Sequence, residues 1–235
     1  NRGLRYGDGL FETMKCANGD IKLKELHFER LLSGMALLKI KLPPHVTPDY
    51  LEEETRQTLS KNRITGAART RLMVFRGDGG LYELDGDGGG FIIQVWDLGS
   101  AKEEFNENGL VVGLYEDAFK SCDALSNIKS NNYLLYAMAA MYAKETRKSD
   151  CFVLNTHKRI CDASIANVFW VKNKKIYTPP LSEGCIAGVM RKNLLQKIDG
   201  IIQQPCEISD LQNADEIFLT NAISGLRWVT EFNGK

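Results

Sequence analysis

The chain has 235 residues, and its 30 basic and 30 acidic side chains give a formal net charge of zero. This balance argues against a surface built for nucleic acid or an anionic membrane, because such surfaces need net or clustered positive charge. The hydrophobic fraction of 43% and the charged fraction of 26% are typical of a soluble globular protein with one or two domains. No run of sequence approaches the roughly 20 apolar residues of a membrane-spanning helix.

The chain start and the cysteine spacing favour a cytoplasmic protein. The first residues have no signal-peptide pattern, and the lack of an initiator methionine suggests that the natural chain begins earlier. The six cysteines form no Cys-x-x-Cys pair and the three histidines are scattered, so neither a disulfide framework nor a zinc site is expected. We therefore predict reduced thiols and no bound metal.

Strand and helix patterns alternate along the first hundred residues. Residues 10–24 predict a hairpin that turns at Asn18-Gly19-Asp20. The patterns that follow predict, in chain order, helices at 24–40 and 49–61 and strands at 68–75 and 90–96. The polar stretch 98–102 has no periodic pattern and is predicted to be a linker.

The alternation continues beyond this linker. It predicts strands at 110–115, 151–155 and 216–220, a hairpin at 168–178, and helices at 131–144, 189–199 and 209–213, with 216–220 as the last strand. No internal repeat is present. The sequence therefore predicts an α/β (α+β) protein with an N-terminal lobe at 1–97 and a C-terminal lobe at 103–235.

Arg30 occupies an unusual position for a charged residue. It lies near the centre of an apolar stripe on the first predicted helix. A guanidinium in such a stripe costs several kcal/mol unless an anion accompanies it. The anion is either a carboxylate of the chain itself or a bound phosphate or carboxylate ligand, and a third possibility is a side chain that extends to solvent.

Lys129 lies within an amide- and hydroxyl-rich segment at 126–133, directly before an apolar predicted helix. Most lysines are solvated surface residues, and this one can be read in that way. The polar residues around it, however, can cap a helix and bond a ligand. A lysine at the mouth of a site can lose its proton and become an amine nucleophile.

Three further segments have residues suited to binding. Asp162 is flanked by small and apolar residues, so it either caps a turn or holds a cation, with Asn167 as a natural hydrogen-bonding partner. The glycines of 184–191 precede a helix and would free backbone amides for an anion. Residues 220–222 end a predicted strand, where α/β proteins often present ligand-binding backbone.

A lysine nucleophile, a buried carboxylate, an anion-binding helix start and a buried arginine together suit pyridoxal phosphate. The order of the motifs and their residues also resemble those of the class IV aminotransferases, the fold-type IV pyridoxal phosphate enzymes. This resemblance implies a two-lobed fold like that of D-amino acid aminotransferase. The resembling segments are 2–13, 26–31, 127–133, 162–170, 184–191 and 218–222.

The resemblance also implies roles for single residues. Lys129, in the C-terminal lobe, would bond covalently to the cofactor, Asp162 would keep its ring nitrogen protonated, and Thr13 would act near the substrate. The other implied cofactor contacts are Arg30, Val189, Met190, Asn221 and Ala222 at the phosphate, Gly188 at the helix entry, Tyr133 at the phenolic oxygen and Ile186 at the ring. The family usually has Glu where this chain has Asp162. The shorter side chain requires either a closer backbone or a longer contact to the ring nitrogen.

Smaller signals bear on the reaction. The run Arg76-Gly77-Asp78-Gly79-Gly80 and the spacing from Lys129 to Asn132 resemble aminodeoxychorismate lyases. In contrast, Leu81 replaces an arginine common in those lyases, and Phe11 replaces a tyrosine of D-amino acid aminotransferases. The resemblance favours a homodimeric lyase that releases pyruvate and leaves 4-aminobenzoate, a folate precursor. The alternatives are a transaminase for branched-chain or D-amino acids and, third, a binding protein with an inactive site.

Overall fold

The computed structural model describes residues 1–82, 88–99 and 107–234. The chain divides into two compact units. The first comprises Asn1–Glu104 and Ile128–Asn132, and the second comprises Phe105–Asn127 and Tyr133–Lys235. Part of the predicted linker, residues 100–102, lies outside the described residues, so the linker and the lobe boundaries remain predictions.

The first unit contains an antiparallel four-stranded sheet in the order β2-β1-β3-β4. Its strands are β1 (Gly9–Ala17), β2 (Asp20–Ile21), β3 (Ala67–Phe75) and β4 (Gly90–Asp97). Its helices are α1 (Arg2–Tyr6), α2 (Lys24–Leu38) and α3 (Pro48–Lys61). The predicted hairpin, two helices and two strands of this region are therefore confirmed, whereas the short helix α1 was not predicted.

Strand β1 presents alternate side chains to opposite faces of the sheet, as the period of two requires. Leu10 belongs to the same buried core as residues of α2. A Cβ atom at Gly34 of α2 would lie 2.8 Å from Cδ1 of Leu10, so this glycine permits the helix to approach the strand closely. One helical turn before Gly34, Arg30 lies over the strand at Glu12, while Phe11 projects from the other face.

Residues 128–132 cluster with the first unit because their backbone pairs with β1. Ser130 forms a bridge with Leu10, and the amide of Phe11 donates to the carbonyl of Lys129 at 2.9 Å. The amide of Asn131 donates in turn to the carbonyl of Gly9 at 2.9 Å. This clustering differs from the expectation that Lys129 belongs to the C-terminal lobe.

The second unit contains an eight-stranded mixed sheet in the order β10-β9-β8-β11-β12-β5-β6-β7. Its strands are β5 (Leu110–Lys120), β6 (Asp150–Asn155), β7 (Ile160–Ala163), β8 (Asn167–Lys172), β9 (Lys175–Thr178), β10 (Ile202–Gln203), β11 (Glu216–Asn221) and β12 (Gly225–Phe232). Its helices are α4 (Leu134–Glu145), α5 (Val189–Lys197) and α6 (Ile208–Gln212). These elements confirm the predicted α/β (α+β) class.

Two predictions for this unit need correction. Strand β11 is not the last strand, because β12 follows it and pairs with it in antiparallel register. Helix α4 begins at Leu134 and not at 131, because the residues before it are used in pairing with β1. The hairpin of β8 and β9 is confirmed, and its turn residues Asn173 and Lys174 both have positive φ, at 51° and 61°.

Within the described ranges no helix is long and apolar enough to cross a membrane. The same residues contain no group of three or more His, Cys, Asp or Glu side chains that could hold a metal ion.

Candidate functional site

Lys129 lies against an aromatic ring in the first unit. Its Nζ atom is 4.5 Å from the centroid of the buried Phe11 ring, and the guanidinium carbon of Arg71 is 4.0 Å from the same centroid. Both distances are within the range of cation–π attraction. Thr13 is paired across the sheet with Arg71, so it shares the Phe11 face of β1. The structure thus brings together Lys129 and Thr13 with Arg71, which the sequence did not single out.

Glycines explain how the Lys129 segment reaches β1. A Cβ atom at Gly9 would lie 2.4 Å from Nδ2 of Asn131, and one at Gly7 would lie 2.3 Å from Oδ1 of Asn132. Gly7 also has a φ of 65°, which side-chain-bearing residues rarely adopt. The glycines of the 2–13 motif therefore make room for the two residues that follow Ser130.

Arg30 is paired with a buried carboxylate on the opposite face of β1. Its Nε atom donates to Oε1 of Glu12 at 2.8 Å, and Nδ1 of His27 lies 2.6 Å from Oε2 of the same residue. Burial alone raises the pKa of Glu12, but the Arg30 guanidinium and the His27 ring outweigh it, so the pKa is lower than its ordinary value. An internal ion pair, one of the alternatives open from the sequence, thus explains why Arg30 is stable in its apolar stripe.

Asp162 is the central carboxylate of the second unit. Its side chain is fully buried, at 0% exposure, and three neutral donors hold it. Tyr136 Oη donates to Oδ2 at 2.7 Å, the Ile186 amide donates to Oδ2 at 2.8 Å, and Asn167 Nδ2 donates to Oδ1 at 2.8 Å. Burial raises the pKa of Asp162 to about 6, and the bonds from Ile186 and Tyr136 limit that rise. The three hydrogen bonds to the carboxylate that are described here therefore all come from neutral donors.

Asn167, predicted as a partner of Asp162, joins this carboxylate to the start of α5. Its Nδ2 also donates to the Ile186 carbonyl at 2.9 Å, and its backbone pairs with Thr220 of β11. A Cβ atom at Gly188, the residue that caps α5, would lie only 1.7 Å from Oδ1 of Asn167. Only glycine fits between this amide and the helix start.

The start of α5 has the features of an anion site. The amides of Val189 and Met190 lie in the first helical turn, where no intrahelical carbonyl is available to them. Helix α5 packs against β11, and at the end of that strand the buried Oγ1 of Thr220 has no hydrogen-bond partner among the described residues. First-turn amides, a helix dipole and an unsatisfied hydroxyl group suit a phosphate.

Asn221 and Ala222 follow directly on from Thr220. The Oδ1 atom of Asn221 accepts from the amides of Ile223 and Ser224, at 3.0 and 2.8 Å. The Asn221 carboxamide oxygen therefore closes the turn between β11 and β12. Any contact that Asn221 or Ala222 makes with a phosphate would have to use other atoms, and it remains a prediction.

Tyr133 and Tyr136 form a stacked pair at the start of α4. Their ring centroids are 4.5 Å apart with an interplanar angle of 25°, and Tyr133 Oη donates to the Ser164 carbonyl at 3.4 Å. Tyr133 was predicted from the sequence as a site residue and Tyr136 was not, although a spacing of three residues at a helix start places both on one side. Glu12 and Thr220 were also not predicted as site residues, although they lie in the resembling segments 2–13 and 218–222.

The arginine of the glycine-rich run has a structural role. Arg76 Nε donates to Oδ2 of Asp8 at 2.8 Å. Its Nη1 donates to the Lys39 carbonyl at 2.8 Å and its Nη2 to the Leu38 carbonyl. Arg76 thus satisfies carbonyls at the end of α2, where the helix itself provides no donors. Its presence is explained by the fold without any contact to a substrate.

Comparisons with known proteins agree on one family. The family model described as amino-transferase class IV matches residues 9–232. The aminodeoxychorismate lyase of Vibrio harveyi is 28% identical over 96% of this chain and 83% of its own length. The D-alanine aminotransferase of Bacillus licheniformis is 25% identical over 100% of this chain and 82% of its own length. The crystal structure of 4-amino-4-deoxychorismate lyase from Pseudomonas aeruginosa is 26% identical, with a TM-score of 0.84 over 99% of this chain and 86% of that one.

Proposed function

We propose that this chain, which belongs to the class IV aminotransferase family, is an aminodeoxychorismate lyase-like enzyme that releases pyruvate and leaves 4-aminobenzoate. The family predicted from the motifs is confirmed by the match over residues 9–232. The chain is therefore an enzyme, and the cofactor of its family is pyridoxal phosphate. The substrate of the proposal is a small amino acid-like molecule, and the proposed location is the cytoplasm.

The observation that supports this proposal most is the connection through Asn167. Its side chain bonds the buried Asp162 carboxylate, and the same amide abuts Gly188 at the start of α5. A carboxylate held by neutral donors can hold a proton on the ring nitrogen of the cofactor, and a helix start can bind its phosphate. In the second unit the Asn167 side chain therefore contacts both the Asp162 carboxylate and the start of α5.

The residues of this chain fit pyridoxal phosphate in chemical type. When bound, the cofactor supplies a conjugated ring that delocalises the electron pair left by a departing proton. Asp162 would keep the ring nitrogen protonated, and Val189, Met190 and Thr220 would donate to the phosphate. Ile186, whose amide already holds Asp162, would pack on the ring.

Lys129, Arg30 and Thr13 have proposed roles that follow from the family resemblance. Lys129 would bond covalently to the cofactor. Once the amino group of the substrate has displaced it, Nζ would be a free amine and would accept the substrate α-proton. Arg30 would be a phosphate ligand in addition to its pairing with Glu12. Thr13, on the Phe11 face of β1, would contact the substrate, and Tyr133 the phenolic oxygen of the cofactor.

Transamination is the second candidate. A D-alanine aminotransferase is among the relatives at 25% identity, close to the 28% of the lyase. The arginine of the lyase-like run is used to cap α2, which removes one argument for the lyase. A transaminase would require a 2-oxo acid acceptor, whereas a lyase would not.

A first experiment tests the cofactor assignment. Purified protein is mixed with pyridoxal phosphate, and its visible absorption is compared for the wild type, Lys129→Ala and Lys144→Ala. Lys144 is an exposed residue of α4 and serves as the matched lysine control. We expect a bound-cofactor band in the wild type and in Lys144→Ala but not in Lys129→Ala. A wild-type protein that takes up no cofactor would contradict the proposal.

A second experiment separates the two reactions. Cofactor-saturated enzyme is given aminodeoxychorismate without any 2-oxo acid, and pyruvate and 4-aminobenzoate are measured together. Equal amounts of the two products support the lyase. Product that forms only after a 2-oxo acid is added would refute the lyase and favour the transaminase.

The proposed assembly is a homodimer, as the family resemblance implies. Light scattering at micromolar concentration measures the mass directly, and one chain has a mass of 26.4 kDa. A mass near that of one chain would exclude this part of the proposal.

A further inference from the structure

Tyr136 has a close contact to Asp162 that the proposed chemistry does not yet use. The two side chains are joined by a 2.7 Å hydrogen bond, and Tyr136 is only 3% exposed. Burial, followed by the nearby Asp162 charge, raises the pKa of Tyr136 well above its ordinary value. The phenol therefore stays protonated at neutral pH and acts as the donor in this bond.

Packing fixes the position of this phenol. The Tyr136 ring stacks on Tyr133, and the Nζ atom of Lys120 lies 5.5 Å from its centroid. Helix α4, which carries Tyr136 and begins directly after Tyr133, packs on β5 and β6 through a buried cluster that includes Ala139 and Cys151. The Oη atom is thus held in place by the helix, its neighbouring ring and the bond to Asp162.

The ionisable groups around Asp162 come from five different segments. Lys120 on β5 and Tyr136 on α4 favour its charged form. Cys161 on β7 and Cys185 before α5 are buried thiols with raised pKa values, and Arg191 on α5 is a cation that senses the Asp162 charge. The thiols are neutral at ordinary pH, so hydrogen bonds from neutral donors carry most of the stabilisation of the carboxylate.

We infer that Tyr136 is a positioning residue that orients the Asp162 carboxylate and keeps it ionised for the ring nitrogen of the cofactor. This inference rests on the proposed function. It also addresses the replacement of the usual Glu by Asp, because a shorter side chain needs a donor that approaches it directly. The Oη of Tyr136 provides that donor on the same oxygen that the Ile186 amide contacts.

The test uses the full chain without cofactor. Urea unfolding is measured at pH 5 and pH 8 for the wild type, Tyr136→Phe and the control Tyr142→Phe, a half-buried tyrosine of the same helix. Removing a hydrogen bond to the charged form raises the pKa of Asp162 by about one unit, a tenfold change in its ionisation. We expect Tyr136→Phe to lose more stability relative to the wild type at pH 8 than at pH 5, while Tyr142→Phe loses equally at both.

A second pair of variants identifies the partner. In an Asp162→Asn background, Tyr136→Phe should cause a loss that no longer depends on pH, because the ionising group is absent. A loss of equal size at pH 5 and pH 8 in the wild-type background would overturn the inference and reduce Tyr136 to a packing residue. A pH-dependent loss in the Asp162→Asn background would also overturn the inference.

Cofactor measurements distinguish this inference from the proposed function. With pyridoxal phosphate bound, Tyr136→Phe should shift the pH dependence of the cofactor absorption in the same direction as the apoprotein titration. If the coupling is present but the wild type binds no cofactor, the proposed function fails, and the pair is only a structural contact. If cofactor binds and its spectrum titrates identically in wild type and Tyr136→Phe, the positioning role is wrong while the proposed function survives.

Discussion

Two buried carboxylates in this molecule have opposite electrostatic surroundings. Glu12 in the first unit is 2% exposed and is paired with the guanidinium of Arg30 and the ring of His27. Asp162 in the second unit is 0% exposed and receives bonds from a phenol, an amide side chain and a backbone amide. The pKa of Glu12 is below its ordinary value, whereas burial raises that of Asp162 to about 6.

The difference shows which carboxylate is suited to an external cation. Glu12 already has an internal cation, so its charge is compensated within the fold. Asp162 is oriented by neutral donors, so its charge is stabilised only in part and a protonated ring nitrogen would complete the pairing. Burial by itself is therefore a poor guide to function, and the identity of the partners is the better one.

The largest expected effect comes from breaking the Glu12 pair. Glu12→Ala removes the buried carboxylate that pairs with Arg30 and His27, which should cost about 3–5 kcal/mol of stability. Urea unfolding checks this against Glu25→Ala, which alters an exposed residue of α2, the helix that carries Arg30. Adding Arg30→Met to Glu12→Ala should recover part of the loss. A loss below about 1 kcal/mol would mean that the pair is solvated and the contrast with Asp162 is smaller than described.

A smaller effect, dependent on pH, is expected at Asp162. Its folded pKa of about 6 exceeds the ordinary 3.8, so its stabilising contribution is complete below about pH 3.8 and is lost as the pH rises through 6. The wild type should therefore lose about 2–3 kcal/mol relative to Asp162→Asn between pH 4 and pH 8, at roughly 1.4 kcal/mol per unit. Apoprotein unfolding at several pH values measures this difference.

The exposed Asp117, changed to Asn, provides the control for that series. The free energy of unfolding of Asp117→Asn should change with pH in the same way as that of the wild type. If the stability of Asp162→Asn also changes with pH as that of the wild type does, burial does not raise the pKa of Asp162. The contrast with Glu12 then disappears.

The sequence predicted the need of Arg30 for an anion but not which anion. The helical stripe depends on local spacing, which is visible in the sequence. The partner Glu12 is 18 residues away on a strand, and the contact depends on how α2 lies over β1, which Gly34 permits. The same limit applies to Tyr136, whose distance to Asp162 depends on how α4 packs on the sheet.

Errors in the element boundaries have a related cause. The predicted helix included the polar residues 131–133, but the backbone of 129–131 pairs with β1, so α4 starts at Leu134. Strand β12 was missed because its sequence alternates weakly and only Phe232 in it is fully buried. The strong patterns, such as α2 and the hairpin of β8 and β9, were predicted within a few residues because local spacing alone determines them.

The smallest expected effect comes from disturbing the hydrogen bond that Asn167 donates to the Asp162 carboxylate. In Gly188→Ala the new Cβ would meet Oδ1 of Asn167 at 1.7 Å, so the amide must move away from its bond to Asp162. Overpacking of this kind costs about 1–3 kcal/mol.

Gly66→Ala is the matched control, because a Cβ there meets nothing within 4 Å. We expect Gly188→Ala, and not Gly66→Ala, to weaken pyridoxal phosphate binding measured by fluorescence titration. Equal cofactor affinity in the two variants would show that the Asn167 amide adapts to the added methyl group, and that the position of Asp162 does not depend on it.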